Sequence, residues 1–182
     1  MKRFAAVILM SISIAAAAPK DVLILHSYRV GYDWTDELSR GFRSKFADAG
    51  EFNLWFEFLD ARRNGYPRNE TFLRETFATK HAGRHFDLII ACDDEALDFV
   101  AHRAGGVFGS PPVVFCGVSE SPDPAQFPRN RFTGLIEVFY PEKILALARS
   151  LRPGARDLYF VADHTPFSAS LDSVFSQAAK SC

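Results

Sequence analysis

The sequence predicts an α/β protein, built as a doubly wound parallel sheet with helices on both faces. Three observations carry this. Short apolar runs recur at residues 22–25, 54–59, 87–92 and 112–116. Apart from Glu57 and the opening Asp87, the runs are continuous rather than alternating, the mark of strands buried on both faces. The segments between them repeat apolar residues three and four apart, as on one side of a helix. With 182 residues, 48% of them hydrophobic, the chain can bury a sizeable core.

The elements follow in order. Residues 22–25 form the first strand. Thr35 is placed to cap a helix whose first turn carries Asp36 and Glu37, where the helix dipole favours acids. Leu38, Phe42 and Phe46 trace its inner face, and Gly50 ends it. Residues 54–59 are the second strand. Pro67 and Asn69 open a second helix with Phe72, Leu73 and Phe77 inward, stopped near Gly83. Residues 87–92 are the third strand. Asp93, Asp94 and Glu95 follow it, then a helix with Ala96, Leu97, Val100 and Ala101 on one side, closed by Gly105 and Gly106. Residues 112–116 are the fourth strand.

A loop rich in Pro and Ser, 117–132, then interrupts the rhythm and marks a site or a hinge. Beyond it, 133–138 reads as a strand. Pro141 suits the first turn of a helix with Ile144, Leu145, Ala148 and Leu151 inward. Residues 157–162 read as another strand. Thr165 and Pro166 open a last helix through Phe167, Leu171, Val174, Phe175 and Ala178.

The N-terminus reads as an export leader over residues 1–18. Lys2 and Arg3 are its basic start, Phe4 to Ile14 its apolar core, and Ala15 to Ala18 its small residues. Pro19 disfavours a cut just before it, so cleavage after Ala17 is preferred. The apolar run falls short of the roughly 20 residues of a membrane span; the alternative is an uncleaved anchor. The expected location is periplasmic or extracytoplasmic. A formal charge of −1 points to no nucleic-acid partner. Of three cysteines, Cys92 and Cys116 each end a strand-like run and are expected as neighbouring buried thiols, with a disulfide left open.

In parallel α/β sheets, ligands bind outside the carboxyl ends of the strands. Those ends here carry His26, Ser27 and Tyr28; Asp93 and Asp94; Gly117, Val118 and Ser119; and Asp163, His164 and Thr165. His26 and Ser27 are adjacent on a strand, so they face opposite sides and form no nucleophile–base pair with each other. No G-x-S-x-G elbow, Walker loop or G-x-G-x-x-G run is present. His81 and His85 have a helical metal spacing, but Gly83 lies between them and no further ligand is near, so no metal or other cofactor is expected. Tyr28, Tyr32 and Trp34 supply rigid apolar faces, and Ser27, Asp93, Asp94 and Ser119 a few directed hydrogen bonds. That mixture suits a small-molecule cleft.

The blocks "VLILHSYRVGYDWTDELSRGFRSKF", "FEFLDARR", "GRHFDLIIACDDEALDFV", "PPVVFCGV" and "RFTGLIEVFYPEKILALARSLRPGARDLYFVAD" resemble, in that order, the type 1 periplasmic binding protein fold. More narrowly, they resemble the ABC-transporter substrate-binding-like domains that also serve as extracytoplasmic sensors of bacterial histidine kinases and diguanylate cyclases. The resemblance implies two α/β lobes with a ligand between them. It places Ser27, Tyr28, Asp93, Asp94, Gly117 and Val118 at the site, Glu137 near the crossover, and Asp163 and Thr165 in the second lobe. The first lobe is expected over 19–132 and a partial second lobe over 133–182, with two strands and two helices, so the chain reads either as a fragment or as a reading frame that stops early.

The function expected is that of an exported small-molecule receptor without catalysis. It would serve an ABC permease or a membrane signalling partner, and an aromatic amino acid or small organic acid is the expected ligand. The alternative is an exported hydrolase using His26 or the Asp93–Asp94 pair.

Overall fold

A computed structural model describes residues 18–47, 49–50, 52–119, 127–163 and 166–181. Residues 1–17 of the expected leader, and Thr165 with His164, lie outside the described residues. The chain divides into two compact units, Met1–Ile136 and Glu137–Cys182.

In the first unit the elements run β1 (Lys20–His26), α1 (Asp33–Ala47), β2 (Phe52–Phe58), α2 (Ala61–Asn64), α3 (Glu70–Lys80), β3 (Leu88–Cys92), α4 (Asp94–Asp98), β4 (Val113–Ser119) and β5 (Phe132–Glu137). A π-helical turn, Phe99–Arg103, extends α4. The five strands form one parallel α/β sheet in the order β2-β1-β3-β4-β5. The register sets Val22 between Leu54 and Leu88, and His26 between Phe58 and Cys92. Because β2 lies on one side of β1 and β3 on the other, the winding reverses between β1 and β3. In sheets of this kind such a reversal is the place, outside the strands' carboxyl ends, where ligands bind.

Alternation along the strands divides the core in two. Val22, Ile24, Ile90 and Cys92 meet Leu38, Phe42 and Phe46 of α1. Leu23, Leu25, Ile89 and Ala91 face the opposite side, toward Leu73 and Phe77 of α3 and Leu97 and Phe99 of the α4 segment. There Phe77 and Phe99 meet edge to face, centroids 5.8 Å apart, a favoured aromatic geometry.

Three local details depart from expectation. Helix α1 starts at Asp33, not at a Thr35 cap. The Asp36 amide already bonds Tyr32 O at 3.0 Å, its carboxylate accepts the Gly31 N–H, and Thr35 is buried in the first turn. Phe72 is 68% exposed, while Leu73 and Phe77 make the inner face of α3. Helix α2 has no apolar repeat to announce it. It is held by Ala61 N–H to Ser27 O, 2.9 Å, and ended by Gly65 at φ +64.

The unit boundary also moves. The strand expected to open the second lobe is β5 of the first unit's sheet, and Val113 N–H bonds Arg131 O at 2.7 Å just before it. The second unit consists of α5 (Pro141–Leu151) and α6 (Pro166–Ser181), which touch each other. Leu145 and Ala178 are buried, whereas Ile144, Ala148 and Leu151, expected inward, are exposed. Residues 157–162, expected as a strand, are none. A strand needs a ladder partner, and this unit has none among the described residues. Phe160 stacks on Phe175 at 5.4 Å, but Tyr159 and Val161 stand 86% and 93% exposed.

Candidate ligand site

The carboxyl ends of β1 and β3 flank the point where the winding reverses. Leaving β1, the chain places Tyr28 and Tyr32 edge to face, ring centroids 5.3 Å apart. Leaving β2, Leu59 N–H bonds His26 O at 2.9 Å, and Asp60 turns through φ +48 into α2. That turn carries the Arg62 guanidinium over Tyr28 at 4.6 Å and over Tyr32 at 5.3 Å, within cation–π range. Leaving β3, Asp93 adopts φ +73, ψ 172, a region nearly reserved for glycine. Its amide bonds Cys116 O at 2.8 Å, and its Oδ1 accepts the Trp34 indole N–H at 2.9 Å. Trp34 remains 43% exposed.

The electrostatics converge on Tyr28 and Glu95. Burial, then the nearby Glu95 and Asp93 carboxylates, push the Tyr28 phenol well above its usual range. Burial also raises the Glu95 carboxyl, and its Oε2 is a buried oxygen without a hydrogen-bond partner. The cluster thus offers aromatic faces beside one cation and two carboxylates.

The expected site residues sort as follows. Tyr28, Tyr32, Trp34 and Asp93 come together. Gly117 lies against them: at φ +68, a Cβ there would stand 2.6 Å from Asp93 Oδ1. Asp94 and Ser119 satisfy each other, through Ser119 N–H at 3.0 Å and Oγ at 2.9 Å, and so clamp β4 to α4. Ser27 is fully buried. It donates to Cys92 O and accepts from Ala96 N–H, both at 2.8 Å, which makes it a tie between β1 and α4. Val118 is buried in the core. In the second unit, Glu137 is half-buried and Asp163 accepts from Ser168 Oγ at 2.5 Å. Thr165 lies outside the described residues.

Sequence reasoning missed Arg62 and Glu95. Glu95 was visible as the third acid after β3; nothing local singled out Arg62.

His26 and Ser27 do face opposite sides. His26 is fully buried, stacked on Phe58 at 5.3 Å, with Nε2 3.0 Å from Ser39 Oγ. His81 Nε2 meets Glu57 Oε1 at 2.9 Å. Among the described residues, no group of three or more His, Cys, Asp or Glu is placed to hold a metal, and no helix is long and apolar enough to cross a membrane. No family model, curated protein or solved structure matches the chain.

The backbone of Asp93 yields a prediction. Asp93→Gly should raise stability by about 1 kcal/mol, because the strain relieved is about 1–3 kcal/mol and the Trp34 bond lost about 1. Denaturant midpoints measure it. A lowered midpoint would show that the side chain's bonds outweigh the strain.

Proposed function

We propose that this chain is an exported receptor for a small molecule, of the type 1 periplasmic binding protein kind, and without catalysis. It acts as the solute receptor of an ABC importer or as the ligand-sensing part of a membrane signalling protein. One observation carries this reading. Tyr28, Tyr32 and Trp34 gather with Arg62, Asp93 and Glu95 where the sheet's winding reverses. Apolar walls with a few directed polar groups at that place are what a small-molecule site requires. The ligand has a flat apolar body for the aromatic faces and a cationic or hydroxyl-bearing group for Glu95. Aromatic amino acids and small organic acids are the first chemistries to screen.

Titration of Trp34 fluorescence in a Trp55→Phe background tests this. A saturable change is expected, and Tyr28→Ala should weaken it at least fivefold, since a stacked aromatic contributes about 1–3 kcal/mol. Unchanged affinity in Tyr28→Ala would remove the site assignment.

A hydrolase reading draws on the 3.0 Å approach of His26 to Ser39. Against it, His26 Nδ1 is buried without a hydrogen-bond partner, so no carboxylate orients the imidazole as a nucleophile–base pair requires. Substrate turnover abolished by Ser39→Ala would favour that reading instead.

A further inference from the structure

We propose that Cys92 and Cys116 form a dithiol seam, which thiol–disulfide exchange closes into an intrachain disulfide beside the candidate ligand site. The two residues are register partners on the adjacent strands β3 and β4. Cys116 Sγ donates to Cys92 Sγ at 3.9 Å, and no covalent bond joins the two sulfurs. Neighbouring strands run about 4.8 Å apart, inside the roughly 4.4–6.8 Å of Cα separation that a disulfide spans. Closure therefore asks for side-chain rotation and a small local shift, with the strand register kept.

Burial sets the order of events. Cys92 is fully buried and Cys116 only partly so. The Cys116 thiolate attacks one sulfur of a disulfide oxidant, small molecule or protein, and one oxidant thiolate leaves. The Cys92 thiolate then attacks Cys116 Sγ and displaces the second oxidant thiolate. The protein gives up two electrons and two protons, and the oxidant's S–S bond becomes two thiols. The contact with Cys116, then burial, hold the Cys92 thiol well above its usual range, and burial persists once Cys116 is in the mixed disulfide. The second step is accordingly slow near neutrality and accelerates with pH.

The seam lies one residue before Asp93 and Gly117. The Asp93 amide is bonded to Cys116 O at 2.8 Å, and the Asp93 carboxylate holds the Trp34 indole. Drawing the sulfurs together moves the two strand ends that support Asp93. Closure therefore alters the site without touching the aromatic faces, and the seam itself does not depend on what the site binds.

The test uses the chain carrying Cys182→Ser and Trp55→Phe, exposed to oxidised glutathione at mildly alkaline pH. Intact mass should show the loss of two hydrogens with no lasting glutathione adduct, and both thiols should vanish together from an alkylation count. Trp34 emission should shift and return on reduction. Cys92→Ala should stop at one glutathione on Cys116, and Cys116→Ala should slow modification of Cys92 at least tenfold. Two thiols still alkylated after exposure, or a stable adduct on the chain with both cysteines, would overturn the seam. Closure with unmoved Trp34 emission would overturn its coupling to the site.

Discussion

Replacing Gly134 with alanine should destabilise the first unit by about 3 kcal/mol or more and unseat β5 from β4. A Cβ at this position would stand 2.2 Å from the Phe115 carbonyl oxygen and 2.5 Å from its ring. Neither neighbour yields easily. The carbonyl belongs to β4 backbone, and the Phe115 ring is buried in a core shared with Phe127 and Phe132. The backbone of Gly134 lies outside the positive-φ region, so alanine meets no conformational penalty there and the effect is purely steric. Denaturant unfolding measures it, with Gly41→Ala as the reference. Gly41 lies within α1 with nothing near its missing Cβ, and alanine there should add about 0.5–1 kcal/mol. Hydrogen exchange over 132–136 should rise sharply in Gly134→Ala. An unchanged midpoint would mean that β5 does not seat on β4 as described.

Gly134 also shows where the sequence stops being legible. The apolar runs at 22–25, 87–92 and 112–116 could be read as buried strands because continuous burial leaves a continuous apolar record. Leu38, Phe42 and Phe46 could be read as one helix face for the same local reason, and they do meet the sheet. Strand order leaves no such record. That β1 lies between β2 and β3 is decided by long-range packing, and this order is what sets Tyr28 beside Asp93. Arg62 reaches Tyr28 only because Ala61 N–H bonds Ser27 O across two strand ends; locally it is one arginine among several. Glu95 differs from Asp94 only because Ser119 claims both oxygens of Asp94. Residues 157–162 fail in the opposite sense. Their composition is strand-like, but β-structure depends on a partner, and the described residues of that unit supply none.

Acidification from pH 6.5 to pH 4 should cost the fold about 3 kcal/mol through His26 alone, some 1.4 kcal/mol per pH unit. His26 is 0% exposed and lies between α1 and the β2 aromatics, stacked on Phe56 and Phe58. Burial disfavours the imidazolium and lowers its pKa from 6.5 to about 4, with Asp36 opposing in part. The unfolded chain therefore takes up a proton as pH falls below 6.5, while the folded chain declines it until about pH 4. Within that window the unfolded state holds more protons, so stability falls with pH. Above it both states are neutral, and below it both are protonated and the loss is constant. His26→Phe separates this from the protein's carboxylates: it keeps an aromatic ring in the stack, gives up the Ser39 contact, and cannot titrate. Its stability should be offset from the native protein's at pH 6.5, and that offset should move in the variant's favour by about 3 kcal/mol at pH 4. Parallel pH profiles for the two proteins would mean that the folded state admits the imidazolium, and the stack around His26 would then have to open to water.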